Sequence, residues 1–319
     1  MVKSPTCGSE KTEPIESVAE FVTCVLEHQS RFLDYGYVPF FRGHENKDFE
    51  LKPSLLRNNA LLENEDVMFR EMIAANPSEF ENDRSTFDKL ARMQHYGMPT
   101  RLFDITSNPL MALYFASIKN AVRVSCIKTK VCDEACDKEC DETCGKVETD
   151  GEVILIGVKN EKILFFDNDT TSVIANLARL ENAQKKLVAG QAVILEHEIE
   201  LFNNYKPVKR LHHFIREEKS YFKPEIHPED IGRIICVKSK MSNQRISSQA
   251  GAFLLFGHGA ELMGPEDYHK HDIIVERITI NGKCKKEIRR QLDLLSINAS
   301  TVYPQMESSA IYIKNKHIW

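Results

Sequence analysis

Apolar residues begin to recur at helical spacing just after Ser17, where Val18, Phe21, Val22, Val25, Leu26 and Phe32 mark one face of a predicted helix. Ser17 and Glu20 stand at capping-box spacing, so each side chain can satisfy the other's free backbone donor. Similar periodicity predicts helices over Glu65–Ala75 and Thr86–His95. Another begins at Pro109, behind Asn108 as N-cap, and runs through Leu110, Leu113, Tyr114 and Phe115; a missing N–H costs nothing in that first position. Further helices are expected from about Thr171 to Val188, stopped by Gly190, near Val208–Glu218 and over Lys285–Leu295. Short β-prone runs predict strands at Val38–Gly43, Glu152–Val158, Lys162–Phe166, Ile231–Lys238, Ala252–Phe256 and Ile273–Ile280, with Ile311–Ile313 as a closing strand. Between Gly97 and Pro109 the chain reads as an irregular connection. Met1–Glu16, polar and holding two prolines, reads as a loose, flexible tail.

Strands follow strands too often for strict βαβ winding, and neither a repeat nor an internal linker divides the chain. The expectation is one α+β domain over residues 17–319, with antiparallel sheet elements and packed helices. Its 319 residues, 42% hydrophobic and 28% charged, can supply a large core. A net charge of −5 argues against a chain whose main task is coating nucleic acid, although it leaves room for a local basic groove. No apolar run approaches the roughly 18 residues of a membrane span, so no membrane partner is expected.

Nine cysteines change the picture only locally. Cys7, Cys24, Cys236 and Cys284 are scattered like reduced thiols, which suits a cytoplasmic protein. The other five crowd into an acidic stretch that reads as an insertion at about residues 121–150. Cys132, Cys136, Cys140 and Cys144 have strict four-residue spacing. Strung along one straight helix, four sulfurs cannot converge on one zinc ion, but a pair could supply half of a zinc site completed by a neighbour or a second chain. The alternative is an exposed acidic loop with reduced thiols.

Two segments could carry chemistry. In Phe40-Phe41-Arg42-Gly43-His44, Arg42 at a strand end can extend its guanidinium fork toward phosphate or carboxylate, or pair with a nearby helix. From Gln94 to Leu110, the residues His95, Thr100, Arg101, Asp104, Thr106 and Ser107 gather beside the N-terminus of the Pro109 helix, a setting that favours an anion such as a diphosphate. Internal pairing of Arg101 with Asp104, and capping by Thr106 or Asn108, is the competing account. Arg42 and Arg101 are expected to face one cleft.

These motifs resemble the FRG-domain family, named for its Phe-Arg-Gly tripeptide, here Phe41-Arg42-Gly43. The resemblance extends over most of the chain, through Leu51-Lys52-Pro53-Ser54-Leu55-Leu56-Arg57, His95–Asp104, Pro109–Ala116 and Arg245–Phe253, and more faintly to Tyr303-Pro304. Phe103 and Ile105 stand where the family usually has Leu and Trp. A weaker resemblance is to ADP-ribosyltransferase folds, in which an Arg, a Ser/Thr pair before an apolar helix, and a Glu follow in order. Arg42, Thr106-Ser107 and Gln249 occupy that order. The resemblance implies an Arg that orients NAD, a Ser/Thr pair shaping the nicotinamide pocket, and a catalytic carboxylate, for which this chain has Gln249. An amide keeps the hydrogen bond and loses the negative charge.

The expected function is binding of a nucleotide-like ligand, NAD as substrate first, with Arg42, Asp104 and Gln249 as catalytic candidates and Arg42, His95, Thr100, Arg101, Thr106 and Ser107 as binding ones. Cleavage of the nicotinamide glycosidic bond, or ADP-ribose transfer to a macromolecular acceptor, would suit a toxin or antiviral effector by analogy. The alternative is a non-enzymatic recognition module for an anionic peptide or nucleic-acid end. No closely spaced carboxylate pair suggests a nuclease metal site. The oligomeric state is left open.

Overall fold

A computed structural model describes residues 13–123, 146–240, 251–303 and 312–314. Its strands are β1 (Tyr37–His44), β2 (Leu102–Thr106), β3 (Ala121–Arg123), β4 (Lys146–Glu148), β5 (Gly151–Lys159), β6 (Ile163–Phe165), β7 (Ile234–Lys238), β8 (Gly251–Phe256) and β9 (Ile273–Ile280). Before β2 lie helices α1 (Val18–Asp34), α2 (Asn59–Glu63), α3 (Glu65–Ala75) and α4 (Thr86–His95), and after it α5 (Pro109–Ala116). Four more, α6 (Asp169–Asn176), α7 (Asn182–Ile194), α8 (Ile199–Asn204) and α9 (Lys206–Glu218), separate β6 from β7. A further helix, Lys285–Leu294, follows β9.

Seven strands form one sheet in the order β6-β7-β8-β2-β1-β5-β9, antiparallel except for β6 beside β7. β3 and β4 pair separately. The pairing of β1 with β5 runs along the whole of β1, and β2 pairs with β8 along the whole of β2. Between β1 and β2 the register holds only at Phe41 opposite Thr106. The sheet therefore consists of two well-bonded halves that part at its centre.

Alternation along the strands gives the sheet two unlike faces. On one, Leu102, Phe253, Leu255, Ile235 and Val237 pack with α3, α4, α6, α7 and α9. On the same face of the other half, Phe41, Val153, Leu155 and Ile278 pack with α1, α5 and the Lys285–Leu294 helix. The opposite face carries Phe40, Phe103, Ile105, Ile154, Leu254 and Phe256, and is covered by connections that contribute Leu51, Ala260 and Leu262. Helices segregated to one face of a largely antiparallel sheet make this an α+β domain, as expected from the sequence.

Helix α5 lies directly on the strands. A Cβ built on Gly43 would fall 1.9 Å from the carbonyl oxygen of Ala112, and one on Gly151 would fall 2.1 Å from that of Ala116. Helix α4 is fixed at its start by Ser85, whose hydroxyl accepts from the Asp88 N–H at 3.1 Å, and by Glu218 of α9, which accepts from the Thr86 N–H at 2.6 Å. That anchoring sets where the C-terminal end of α4, carrying Gln94 and His95, meets the sheet.

Several expectations are corrected. The stretch between Gly97 and Pro109 is not an irregular connection throughout: it contains β2, at the centre of the sheet. The long helix expected over Thr171–Val188 is broken at Leu177–Arg179. There the Asn176 side chain donates to Ser172 and Glu218, and the turn buries Leu177, Ala178 and Leu180 together. Helix α7 then runs on through Gly190, which no atom crowds. Glu20 closes the cap of α1 on the N–H of Glu16 rather than that of Ser17. Ile15, expected in the loose tail, is buried and bonded beside β9 at Thr279 and Asn281. Residues 312–314 are helical rather than extended, with the Tyr312 hydroxyl donating to Asp293.

Because α5 and β1 meet through backbone at Gly43, a methyl group there has no flexible neighbour to displace. Gly43→Ala is expected to cost at least about 1–3 kcal/mol of unfolding free energy, as overpacking does. Urea denaturation checks it.

Candidate functional site

Where β1 and β2 part, a cleft of about 160 Å³ opens between the sheet, the end of α4 and the first turns of α5. Arg42 stands on its wall, with its Nη1 donating to the Asp104 carbonyl at 3.1 Å and lying 3.4 Å from the Asp104 carboxylate. The guanidinium carbon sits 4.8 Å from the centre of the Phe103 ring, a cation–π contact. Its Nε is buried and has no hydrogen-bond partner. Gln94 and His95 reach the cleft from α4, Met111 and Phe115 from α5, and Phe253 from β8. Thr106 closes the inner end; its hydroxyl accepts from the Asn108 N–H at 3.0 Å, and the Asn108 side chain in turn caps α5 at Leu110.

The cleft thus gathers Arg42, His95, Asp104 and Thr106 from the residues singled out in the sequence. It does not gather Thr100, Arg101 or Ser107. Ser107 is exposed and lies outside the lining. Thr100 is buried, its hydroxyl donating to Gln94 and accepting from the Leu102 N–H at 3.2 Å. The pairing of Arg101 with Asp104 is also absent: Asp104 meets Arg42 instead. Gln249, Cys132, Cys136, Cys140 and Cys144 lie outside the described residues. Among the described residues no group of three His, Cys, Asp or Glu side chains is placed to hold a metal ion.

Arg101 is only 1% exposed, and the expectation that it shares a cleft with Arg42 is corrected. Its Nε donates to Glu65 at 2.8 Å, its Nη2 to the other Glu65 oxygen, and its Nη1 to the Phe256 carbonyl at 3.0 Å. Lys185 of α7, likewise buried, donates to Glu65 at 2.7 Å. Burial alone would push the Glu65 carboxyl up, but Arg101 and Lys185 outweigh it and hold the group below its usual range. The same burial lowers the Lys185 ammonium. Arg101 is thus the clamp that joins the start of β2 to β8, α3 and α7.

Three contributors had no assigned role in the sequence reading. Gln94 stands only within a dense motif, and Phe253 only as a strand residue at the end of the Arg245–Phe253 stretch. His44 follows the Phe-Arg-Gly tripeptide and is 3% exposed, its ring edge-on to Phe49 at 6.0 Å and Phe103 at 6.1 Å. Neither ring nitrogen has a hydrogen-bond partner. Burial, then the charges of Arg42, Arg57 and Arg277, push His44 down to about 3, against a weak opposite pull from the Phe49 backbone.

Two outcomes follow. Glu65→Ala leaves Arg101 and Lys185 buried without their counter-charge and is expected to cost about 3–5 kcal/mol in urea unfolding, more than joint replacement of all three by methionine. His44 binds a proton near pH 6.5 when unfolded and only near 3 when folded. Its contribution is therefore present above 6.5 and lost as the pH falls from there through 3. His258 and His271, both lowered to about 4 chiefly by burial, act with the same sign. The stability–pH curve of His44→Phe should be flatter than wild type over that window.

Comparison with known proteins agrees with the residues that build the cleft. Residues 37–123, from the first residue of β1 to the last of β3, match the FRG domain. The match is shorter than the resemblance noted above; Arg245–Phe253 and Tyr303-Pro304 lie beyond it. No curated protein and no solved structure matches the chain. Arg42, Asp104, α4 and α5 all fall inside the matched stretch, so the chain carries an FRG domain over residues 37–123.

Proposed function

We propose that the cleft binds a nucleotide-like ligand, NAD first among the candidates, and cleaves its nicotinamide glycosidic bond. The observation that carries this reading is Arg42. One Nη is tied to the Asp104 carbonyl and the guanidinium rests on Phe103, while Nε is buried without a partner. A guanidinium pre-set in this way is ready for a charged oxygen, the bidentate contact that arginine makes with phosphate. A space of about 160 Å³ matches one end of a dinucleotide rather than the whole of it. Phe115 and Phe253 offer apolar faces to a ring, and Gln94 and His95 offer polar atoms to a ribose.

Asp104 supplies the negative charge that Gln249 lacks. Its carboxylate is half exposed on the cleft wall, where it can stabilise positive charge growing on the ribose as the bond to nicotinamide breaks. Nicotinamide leaves with the bonding electron pair, which neutralises its ring. A water or acceptor oxygen bonds to the ribose carbon and loses its proton to Asp104 or to solvent. With water the product is ADP-ribose; with a macromolecular acceptor it is the ADP-ribosylated acceptor.

Calorimetry with NAD tests the binding step. Arg42→Ala should weaken it by about 1.5–3 kcal/mol, the worth of a hydrogen bond to a charged group. Asp104→Asn should abolish nicotinamide release while retaining NAD binding. Absence of any heat with wild-type protein at millimolar NAD would refute the dinucleotide reading and favour a recognition site for an anionic peptide or nucleic-acid end.

A further inference from the structure

A second cavity, of about 320 Å³, has no part in the function proposed above. It opens between α3, Lys89 of α4, the Leu177–Arg179 turn and α9, and shares no lining residue with the Arg42 cleft. Part of its lining is apolar and firmly held. Phe69 and Phe214 belong to the core and are each 6% exposed, and Ile73 packs against the same core. The charged part of the lining has one sign: Arg70, Lys89, Arg179 and Arg210 border the cavity, and no carboxylate does.

The four cations divide by role. Arg70 and Arg179 tie the walls together, the Arg70 Nη2 donating to the Arg179 carbonyl at 2.8 Å and the Arg179 Nη1 to the Phe214 carbonyl at 3.1 Å. Each also has its own carboxylate, Asp66 for Arg70 and Glu217 for Arg179. Among the described residues, Lys89 and Arg210 have no carboxylate within 4.0 Å and no side-chain hydrogen bond. Arg210 is nevertheless held in place, its guanidinium 4.4 Å from the centre of the Phe214 ring, over which Arg179 also lies at 4.3 Å.

Two positive charges are thus left unmatched at one cavity. A phosphomonoester, which carries about −1.5 to −2 at pH 7, is the anion that balances them, and arginine is well shaped to bind it. A bare phosphate would leave the apolar lining empty, in a cavity at the roughly 300 Å³ where small-molecule sites begin. A flat ring attached to the phosphate fills it, because aromatic side chains and guanidinium planes both stack with rings. A long polyanion fits poorly, since the exposed residues around the basic ones turn acidic: Glu71 follows Arg70, Glu79 and Glu81 precede α4, and Glu217 lies on α9.

We propose that this cavity is a second ligand site, separate from the Arg42 cleft, which binds a nucleoside monophosphate. Lys89 and Arg210 take the phosphate, and the base lies against the lining formed by Phe69, Ile73 and Phe214. The site stands whether or not the cleft takes NAD, because the two have no residue in common.

The four ribonucleoside monophosphates, their nucleosides, ribose 5-phosphate, phosphotyrosine and a short single-stranded oligonucleotide are the probes. Binding is measured by calorimetry on wild type, Lys89→Glu, Arg210→Glu, Arg210→Lys and Arg42→Ala, with thermal melts as folding controls. At least one monophosphate should bind at millimolar concentration or below. Each glutamate variant should weaken it at least about tenfold, and Arg210→Lys, which keeps the charge without the fork, should lose less. Arg42→Ala should leave the Arg210-dependent affinity unchanged. The matching nucleoside and ribose 5-phosphate, each lacking one half of the ligand, should bind at least about tenfold more weakly than the monophosphate. No monophosphate binding at millimolar concentration would overturn the site. So would binding lost with Arg42→Ala and kept with Arg210→Glu, which assigns the ligand to the cleft. Ribose 5-phosphate as tight as the nucleotide would reduce the cavity to an unselective anion site. Tighter binding of phosphotyrosine or of the oligonucleotide would replace the proposal with a docking surface for a phosphopeptide or a nucleic-acid strand.

Discussion

At the centre of the sheet, β1 and β2 are joined only at Phe41 and Thr106. Every other neighbouring pair in the sheet is bonded along several residues, so this junction is where backbone donors and acceptors can turn to other partners. Arg42 takes one of them, the Asp104 carbonyl. A fully paired β1 and β2 would close the cleft and leave Arg42 a surface residue. Had they not met at all, the two halves would lack a common register, and α4 and α5 would have no fixed wall between them. The cleft therefore depends on a junction that is continuous yet barely so.

What keeps β2 in place despite that weak junction is its full pairing with β8 and the charge buried at its start. Arg101, one residue before β2, binds the Glu65 carboxylate, donates from its guanidinium to the Phe256 carbonyl at the end of β8, and accepts the Phe256 N–H on its own carbonyl. Lys185 adds a second cation to the same carboxylate. Glu65 opens α3, so the positive end of that helix also faces it. A buried arrangement of this kind contributes little net stability compared with apolar packing, but losing one member is severe. It fixes four elements to one point.

Much of this was legible in the chain. The bounds of α3 and α4 follow from apolar residues at helical spacing, and the start of α5, which is apolar all round, from the cap at Asn108-Pro109. Strand β2 was missed since Asp104 interrupts a very short apolar run, and its partner β8 lies about 150 residues further on, beyond any local signal. Partners distant in sequence also hid Arg101. Beside Asp104 in sequence it looked like a ligand-binding arginine, and only Glu65 and Lys185, brought from two helices, reveal its role. Arg42 and Asp104 could be proposed from residue type. Their meeting across the parted strands could not, because it depends on the register of the whole sheet.

The tripeptide Phe41-Arg42-Gly43 shows why the local motif is so compact. Alternation sends Phe41 and Gly43 to the helix-covered face and Arg42 to the other. Phe41 fills the core beneath α5, and Gly43 lets the backbone of α5 come down onto β1. The approach of α5 in turn brings Phe115 and Met111 to the cleft that Arg42 borders. A slip of one residue in either direction would turn the arginine under α5 and set Arg42 or His44 against the backbone of Ala112, so register and function are specified by the same three positions. His44 extends the constraint by one residue. As a buried, neutral ring set edge-on to Phe49 and Phe103, it supplies no counter-charge to Arg42.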